Sequence, residues 1–386
     1  MRSSTVLAAV AASTGALAAR PFLEEPDTGI LDVLGNLPVG SLPKLTDMVA
    51  LNDFQWAARN YLPRLNYTYY RNGAGGEYSY RNNLEVYNRY RLRPKTMVDI
   101  TKVESSLPTT ILGRNFSSPF FISPCARADY GHPDAELNIM RAASKANILY
   151  IPSSFSTVPL EQIAAARQPE TYEFFNQVYT NDNDTSNKIL FERAEKSGSK
   201  AVVWAIDSPG SPSRQRAARF SVGSANSKYI TNTWEVLDKF RNMTKLPIIL
   251  KGISTVQDAR LAVQHGVPAI ILSNHGGRNL DGSPSSLETA IEIHREAPEI
   301  FGQIEILADG GVRYGTDALR LLALGVKAVG IGRPVMFANV FGQEGVERAL
   351  GLFRSEVMND AANLGVPDIK KITPDFVEWT PNNWFS

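Results

Sequence analysis

The sequence predicts an α/β chain folded as a (β/α)8 barrel with an N-terminal helical extension. Eight short apolar runs recur from about residue 111 onward, at 120–123, 148–151, 172–175, 201–206, 247–250, 269–272, 304–308 and 328–331. Most intervals between them are long and helical in composition, for example 256–265 and 315–324. Strand-helix alternation of this kind makes a parallel sheet, and eight units over some 250 residues match a closed barrel. Polar and Gly residues gather just after the runs, which is where a barrel of this class places its chemistry. A doubly wound open sheet is the alternative, but no Gly-x-Gly-x-x-Gly follows the first run.

The 386 residues suffice for one large domain or two ordinary ones, and 43% apolar with 20% charged content is ordinary globular usage. A net charge of +1 gives no reason to expect nucleic acid or an anionic membrane as partner. The single Cys125 excludes an intrachain disulfide framework and a Cys-rich zinc site. The four His (132, 265, 275, 294) are far apart in sequence, so no helical His-x-x-x-His pair exists and no metal is expected.

Residues 1–18 read as a signal peptide. Arg2 precedes an Ala/Val/Leu run, and Ala16-Leu17-Ala18 fits a small-x-small cleavage site before Ala19. Secretion is the expected destination. A mitochondrial presequence is the alternative, since no acidic residue occurs before Glu24. Four sequons, at Asn66, Asn115, Asn183 and Asn242, are compatible with a secreted glycoprotein. The C-terminal Asn383-Trp384-Phe385-Ser386 is not a peroxisomal Ser-Lys-Leu address. No apolar segment is long enough to span a bilayer.

Residues 25–45, rich in Pro, Gly and Asp, read as an extended arm. Helical signals follow over 45–61. Pro63 then opens a second helix, which stops at the Gly-rich turn after Tyr69-Tyr70. The expected organisation is 19–110 for arm and helices, 111–356 for the barrel, and 357–386 for a C-terminal helix end and tail.

The sixth run leads into Ser273-Asn274-His275-Gly276-Gly277-Arg278-Asn279-Leu280-Asp281. A titratable base and a permanent cation at the end of a buried strand suit proton abstraction beside an anionic substrate. The last two runs lead into Asp309-Gly310-Gly311-Val312-Arg313 and Gly332-Arg333. Gly lets backbone N–H groups approach a ligand and Arg adds a forked donor, so the turns after strands 7 and 8 read as a phosphate site.

These motifs resemble the FMN-dependent α-hydroxy acid oxidase/dehydrogenase family, which includes glycolate oxidase, lactate oxidase and the flavin domain of flavocytochrome b2. The resemblance spans about residues 45–355. It also rests on Tyr69-Tyr70-x-x-Gly73-Ala74, Arg91-x-Arg93-Pro94, His132-Pro133, Ser153-Ser154-x-Ser156-Thr157, Gln177-x-Tyr179 and Lys251-Gly252. It implies FMN as cofactor and a 2-hydroxy acid, or a bulkier α-hydroxy carbonyl compound, as substrate. His275 would be the base, with Asp207 pairing it and raising its pKa. Arg278 and Arg214 would grip the substrate carboxylate, with Tyr69 and Tyr179 hydrogen-bonding it or the reacting hydroxyl. Lys251 would face the N1/O2 edge of the flavin. Ser153, Gln177 and Ser273 would hydrogen-bond the flavin, and Pro124, Cys125 and Ala126 would lie against its ring. Asp309 would hold the ribityl chain, with Gly310, Gly311, Val312, Arg313, Gly332 and Arg333 around the phosphate. A haem domain needs axial His, and none precedes His132, so O2 is the expected acceptor and H2O2 the product. The alternatives are an FMN dehydrogenase with a non-oxygen acceptor, as in a biosynthetic tailoring enzyme, and a non-catalytic flavin-binding protein, against which the intact Lys251, His275 and Arg278 argue. A homo-tetramer is expected by family analogy alone.

The sequence also departs from the family pattern. The loop between Phe220 and Trp234 is short, which implies a more open, wetter site. Phe155 stands where glycolate oxidases carry a Trp. Ala205 replaces a Thr that bonds the flavin, a loss of about 1 kcal/mol. Cys125 replaces a small hydroxyl residue. Gly210-Ser211-Pro212 alters the turn that presents Arg214.

Overall fold

A computed structural model describes residues 26–223 and 229–381. The signal segment 1–18, the cleavage point before Ala19, residues 224–228 of the short loop and the terminal Asn383-Trp384-Phe385-Ser386 lie outside the described residues.

Eight parallel strands form one sheet: β1 (Phe120–Ile122), β2 (Leu149–Tyr150), β3 (Asn176–Val178), β4 (Val202–Ala205), β5 (Ile248–Ile253), β6 (Ala269–Leu272), β7 (Glu305–Asp309) and β8 (Ala328–Ile331). Their hydrogen-bonded order is β2-β1-β8-β7-β6-β5-β4-β3. Two further bonds, Phe175 N to Tyr150 O (3.3 Å) and Gln177 N to Pro152 O (2.9 Å), join β3 to β2 and close the barrel.

The apolar runs are continuous because each strand is buried on both faces. Alternate side chains go to different cores. In β4, Val203 points into the barrel while Val202 and Trp204 pack outward on the helices. In β6, Ala269 and Ile271 point inward while Ile270 and Leu272 point outward. A hairpin of Thr109–Ile111 and Arg114–Phe116 plugs the N-terminal end of the barrel. Its Ile111 and Phe116 join the inner cluster, and Leu112 N donates to Glu305 Oε2 (2.8 Å) at the start of β7. With that end sealed, the C-terminal end of the strands is left for the site.

The third strand is Asn176–Val178, one step beyond the apolar run at 172–175. The reason is that the run packs on the approach to the barrel. Tyr172 OH donates to Ile148 O (2.5 Å) and accepts from Tyr150 N (2.9 Å). The strand itself carries the buried polar residues Asn176 and Gln177. Lys251, Gly252 and Asp309 likewise fall inside strands, not after them. Polar side chains that line a barrel mouth are invisible to a search for apolar runs.

The 45–61 segment is two elements, a 3-10 turn at Leu45–Asp47 and a helix at Leu51–Tyr61. Asp53 accepts from Val49 N and Ala50 N (both 2.8 Å) and fixes the helix start at Leu51, just after them. Helices Arg64–Arg71 and Tyr78–Glu85 follow. The arm contains a short helix, Ile30–Leu34, whose Ile30 and Leu34 are buried. The last long helix, Gly342–Leu364, ends at the left-handed Gly365, and Val377–Glu378 then pairs with Arg91–Leu92. Of the four sequons, Asn115, Asn183 and Asn242 are exposed, whereas Asn66 is half-buried and donates to Tyr130 O (3.1 Å).

Candidate active site

The turn after β6 is left-handed at three successive residues: His275 (φ 58°), Gly276 (62°) and Gly277 (70°). Gly277 is required there, since a Cβ would sit 2.5 Å from Tyr80 N. His275 is a non-Gly residue in this region, and such outliers persist only where surroundings hold them. Its main-chain N donates to Ser273 Oγ (3.0 Å), its Nδ1 meets Asp207 Oδ1 (2.9 Å), and its Nε2 meets Tyr179 OH (3.1 Å). An Nδ1–H donated to Asp207 leaves the Nε2 lone pair towards Tyr179 and the cavity. Asp207 follows β4 and packs on Gly252, whose Cβ would lie 2.5 Å from that of Asp207.

Asp207 acts on His275 in the expected direction, but burial outweighs it. The imidazole pKa is lowered from 6.5 by desolvation, against the pull of the Asp207 carboxylate. The expectation of a raised pKa is therefore corrected. His275 is neutral at pH 7 and free to accept a proton. Asp207 stays ionised: burial opposes this, and His275 and Lys251 hold its pKa below the usual value.

The opposite end of the cavity is a buried polar network. Lys251 Nζ pairs with Asp309 Oδ2 (3.2 Å) and donates to Ser273 Oγ (2.8 Å), which donates to Asp309 Oδ1 (2.6 Å). Burial depresses the Lys251 pKa, but Asp309 and Asp207 raise it overall, so the ammonium stays charged. Ser153 Oγ donates to Gln177 Oε1 (2.9 Å). The buried Gln177 Nε2 and Ser123 Oγ have no hydrogen-bond partner. Orphaned buried donors are costly, and a polar ligand edge is what would satisfy them. Burial pushes the Cys125 thiol up to about 11, so it is a neutral wall.

The cavity encloses about 1090 Å³, counting space open to solvent. Pro124, Cys125, Ala126, Ser153, Gln177, Lys251, Asp309, Gly310, Gly311, Val312, Arg313, Gly332 and Arg333 line it at this end. Gly311 is backed so closely by Asn83 O that no side chain fits, which leaves its backbone for a ligand. Asp317 Oδ2 accepts from Arg313 N and Tyr314 N (both 3.0 Å) and fixes the turn. Arg333 makes contacts that the sequence does not show. Its guanidinium donates to Tyr70 O (2.7 Å), Gly276 O (2.9 Å) and Asn72 O (2.9 Å) and so braces the base turn against the N-terminal helices.

The remaining wall holds Tyr69, Phe155, Tyr179, Arg214, His275 and Arg278. Arg278 Nη1 donates to Tyr69 O (2.9 Å), and Arg214 Nε donates to Arg278 O (2.8 Å). Burial, with Arg214 as a like-charged neighbour, brings the Arg278 pKa down to about 10, still cationic at neutral pH. Among the described residues, neither guanidinium has a carboxylate partner. Two half-buried cations so placed call for an anionic ligand.

Every residue expected at the site lines this cavity except Asp207 and Ser273, which stand behind it and hold His275 and Lys251. The altered turn before Arg214 still delivers its side chain to the cavity. Tyr70, Ser123, Ser208, Gly276, Gly330 and Met336 line it as well, although the sequence assigns them no role. Gly330 carried a signal, being a Gly inside an apolar strand. Ser123 Oγ occupies the space that its Cβ would need.

A family model described as FMN-dependent dehydrogenase matches residues 58–232 and 221–379. The chain belongs to the FMN-dependent α-hydroxy acid oxidase/dehydrogenase family. Among curated members, it is 34% identical over 356 residues to 2-hydroxyacid oxidase 2 of Rattus norvegicus, covering 86% of this chain and 99% of that protein. It is 32% identical over 360 residues to L-lactate dehydrogenase (cytochrome) of Wickerhamomyces anomalus, covering 87% of this chain but 62% of that longer protein. The flavin-binding domain of baker's yeast flavocytochrome b2 superposes with a TM-score of 0.83 at 32% identity, over 87% of this chain and 88% of that one. Mandelate oxidase with 3,3-difluoro-2-hydroxy-3-phenylpropionic acid gives 0.77 at 35% identity, over 83% and 96%. As an FMN-dependent oxidoreductase of this family, the chain takes FMN as its cofactor. The partnerless Gln177 and Ser123 atoms, the Lys251 ammonium and the Gly311 cradle fit a flavin, its imide edge and its phosphate.

Proposed function

We propose that this FMN family member oxidises a 2-hydroxy acid to the 2-oxo acid, with O2 as acceptor and H2O2 as second product. The balance is one hydroxy acid and one O2 giving one oxo acid and one H2O2. The supporting observation is the neutral His275, set between Asp207 and Tyr179 and facing a cavity walled by Arg214 and Arg278. When bound, FMN accepts the two electrons that leave the substrate. The two Arg side chains bind the carboxylate and orient the hydroxyl-bearing carbon. His275 Nε2 takes a proton from the substrate, and Asp207 stabilises the resulting imidazolium. Tyr179 OH, whose pKa burial raises further, stays protonated and serves as donor. The relatives named 2-hydroxyacid oxidase favour O2. The cytochrome-linked relative favours a second reading, with another acceptor.

One experiment separates these readings. FMN-loaded protein is mixed anaerobically with 2-hydroxy acids from glycolate to mandelate and larger. Bleaching of the flavin is expected, followed on admission of air by rapid recolouring with peroxide release. No bleaching by any acid sinks the substrate class. Bleaching without recolouring in air sinks the oxidase reading and leaves the other acceptor.

The lowered pKa of His275 fixes a pH dependence. The base works only when neutral, so kcat/KM falls as pH falls through its pKa. That acid limb is expected below 6.5. Because the Asp207 carboxylate raises this pKa, Asp207→Asn moves the limb lower still. A pH-rate profile with its limb above 6.5 contradicts the assignment.

A further inference from the structure

The loop that follows β4 and carries Arg214 is tied to the N-terminal extension at one unusual carboxylate. Glu77 is 6% exposed and has a left-handed φ of 62°. Its Oε1 accepts from Arg216 Nε and its Oε2 from Arg216 Nη2, both at 2.8 Å. The same carboxylate accepts from Gly73 N (3.0 Å) and faces Arg71 Nη1 at 3.4 Å. Burial works against its ionisation, but these partners hold its pKa below the usual value. A second tie runs alongside, from Gly75 N to Ser213 O (2.8 Å). Residues 73–77 are the turn that ends the helix bearing Tyr69. The two walls that would grip a substrate carboxylate, Tyr69 and Arg214, are thus joined through Glu77.

Arg214 needs such a restraint. It stands beside Arg278; both are half-buried, Arg214 lowers the Arg278 pKa, and burial and Arg333 lower that of Arg214. Before an anion arrives, repulsion and desolvation both push Arg214 towards water. Its own bonds are to neutral groups, Arg278 O (2.8 Å) and Asn279 Oδ1 (3.1 Å). Arg216, two residues on in the short helix Gln215–Arg219, makes the one ionic, two-pronged bond in this segment among the described residues. Such a fork fixes orientation as well as distance.

We propose that the Glu77–Arg216 pair is a latch that holds Arg214 over the cavity. Arg216 is then a positioning residue for recognition of the substrate carboxylate, though it does not line the cavity. The carboxylate identity rests on the 2-hydroxy acid reading; the latch itself rests on the bonds above.

The test compares FMN-loaded wild type with Arg216→Gln and Arg216→Lys. Pyruvate and benzoylformate are titrated while the flavin spectrum is followed, and turnover is measured with the acids that bleach wild type. In Arg216→Gln, the Kd for both oxo acids and the KM are expected to rise about tenfold, with kcat within about twofold. Arg216→Lys, which keeps the charge but not the fork, should recover part of this. FMN affinity should stay at the wild-type value, while the melting temperature of Arg216→Gln falls, since Glu77 keeps only Arg71 and Gly73 N as partners among the described residues. Unchanged Kd and KM overturn the latch, and so does a loss confined to Tm and FMN affinity, which marks a purely structural pair. If wild type binds neither oxo acid, the carboxylate role of Arg214 fails and the latch with it. If wild type binds them but oxidises nothing, the oxidase reading fails alone, and the Kd comparison still decides the latch.

Discussion

His275→Ala should leave a yellow, folded protein that no 2-hydroxy acid bleaches at a useful rate. General-base catalysis is worth about 10²–10⁴-fold, or about 3–5 kcal/mol of barrier, and no other group among the described residues is placed to supply it. Tyr179 meets Nε2 directly, but burial raises its pKa, so it is not a base at neutral pH. Asp207 faces Nδ1 and lies behind the cavity wall. The cofactor end is held by Lys251, Ser273 and Asp309, none of which bonds the imidazole ring, so FMN retention should not change. One objection is that the turn itself collapses without its His, since φ at this position is 58°. His275→Asn answers it, because Asn tolerates the left-handed region. Both variants should lose bleaching equally while binding pyruvate as wild type does. If His275→Asn keeps more than roughly a tenth of the rate, His275 is not the base.

The barrel was legible because its strands are buried on both faces, so that every residue of 202–205 or 269–272 is apolar. Legibility failed where function enters the strand. Asn176 and Gln177 form β3 although the apolar run stops before them, and Lys251, Gly252 and Asp309 lie inside strands that the pattern ends early. The site residues were legible one by one, since His, Arg and Gly-Gly at strand ends are chemically conspicuous. Their couplings were not. Arg333 reads as a phosphate ligand, yet it also braces Tyr70, Asn72 and Gly276 from a distance of more than fifty residues in sequence. The Asn83–Asn274 pair, with reciprocal amide bonds of 2.8 Å, ties the N-terminal helix to the base turn, and nothing local in either stretch announces it. The direction of the His275 pKa is hidden for the same reason. A partner carboxylate can be guessed from sequence, whereas burial, which outweighs it here, is a property of the whole fold.

Lys251→Met should be the most destabilising of the site variants, and its effect should divide into two measurable parts. The first concerns the fold. Lys251 and Asp309 are 5% and 7% exposed and 3.2 Å apart. Removing one member of such a pair leaves the other charge buried, at a cost of about 3–5 kcal/mol. In FMN-free protein this should lower the melting temperature by roughly 5–10 °C. Adding Asp309→Asn removes the stranded charge while keeping an acceptor for Ser273 Oγ, so the double variant should be more stable than Lys251→Met alone. If the two substitutions simply add, the pair is not coupled and the charge argument is wrong. The second part concerns the cofactor. A ligand that binds only the folded state stabilises it by RT ln(1 + [L]/Kd), so the shift of melting temperature with added FMN reports affinity separately from the apo baseline. Lys251 supplies a buried positive charge in the same cavity as Gln177 and Gly311. Lys251→Met should therefore show a smaller FMN-induced shift than wild type, and the double variant should not recover it. Recovery of the FMN shift in the double variant would mean that Lys251 serves only to neutralise Asp309 and does not hold the flavin.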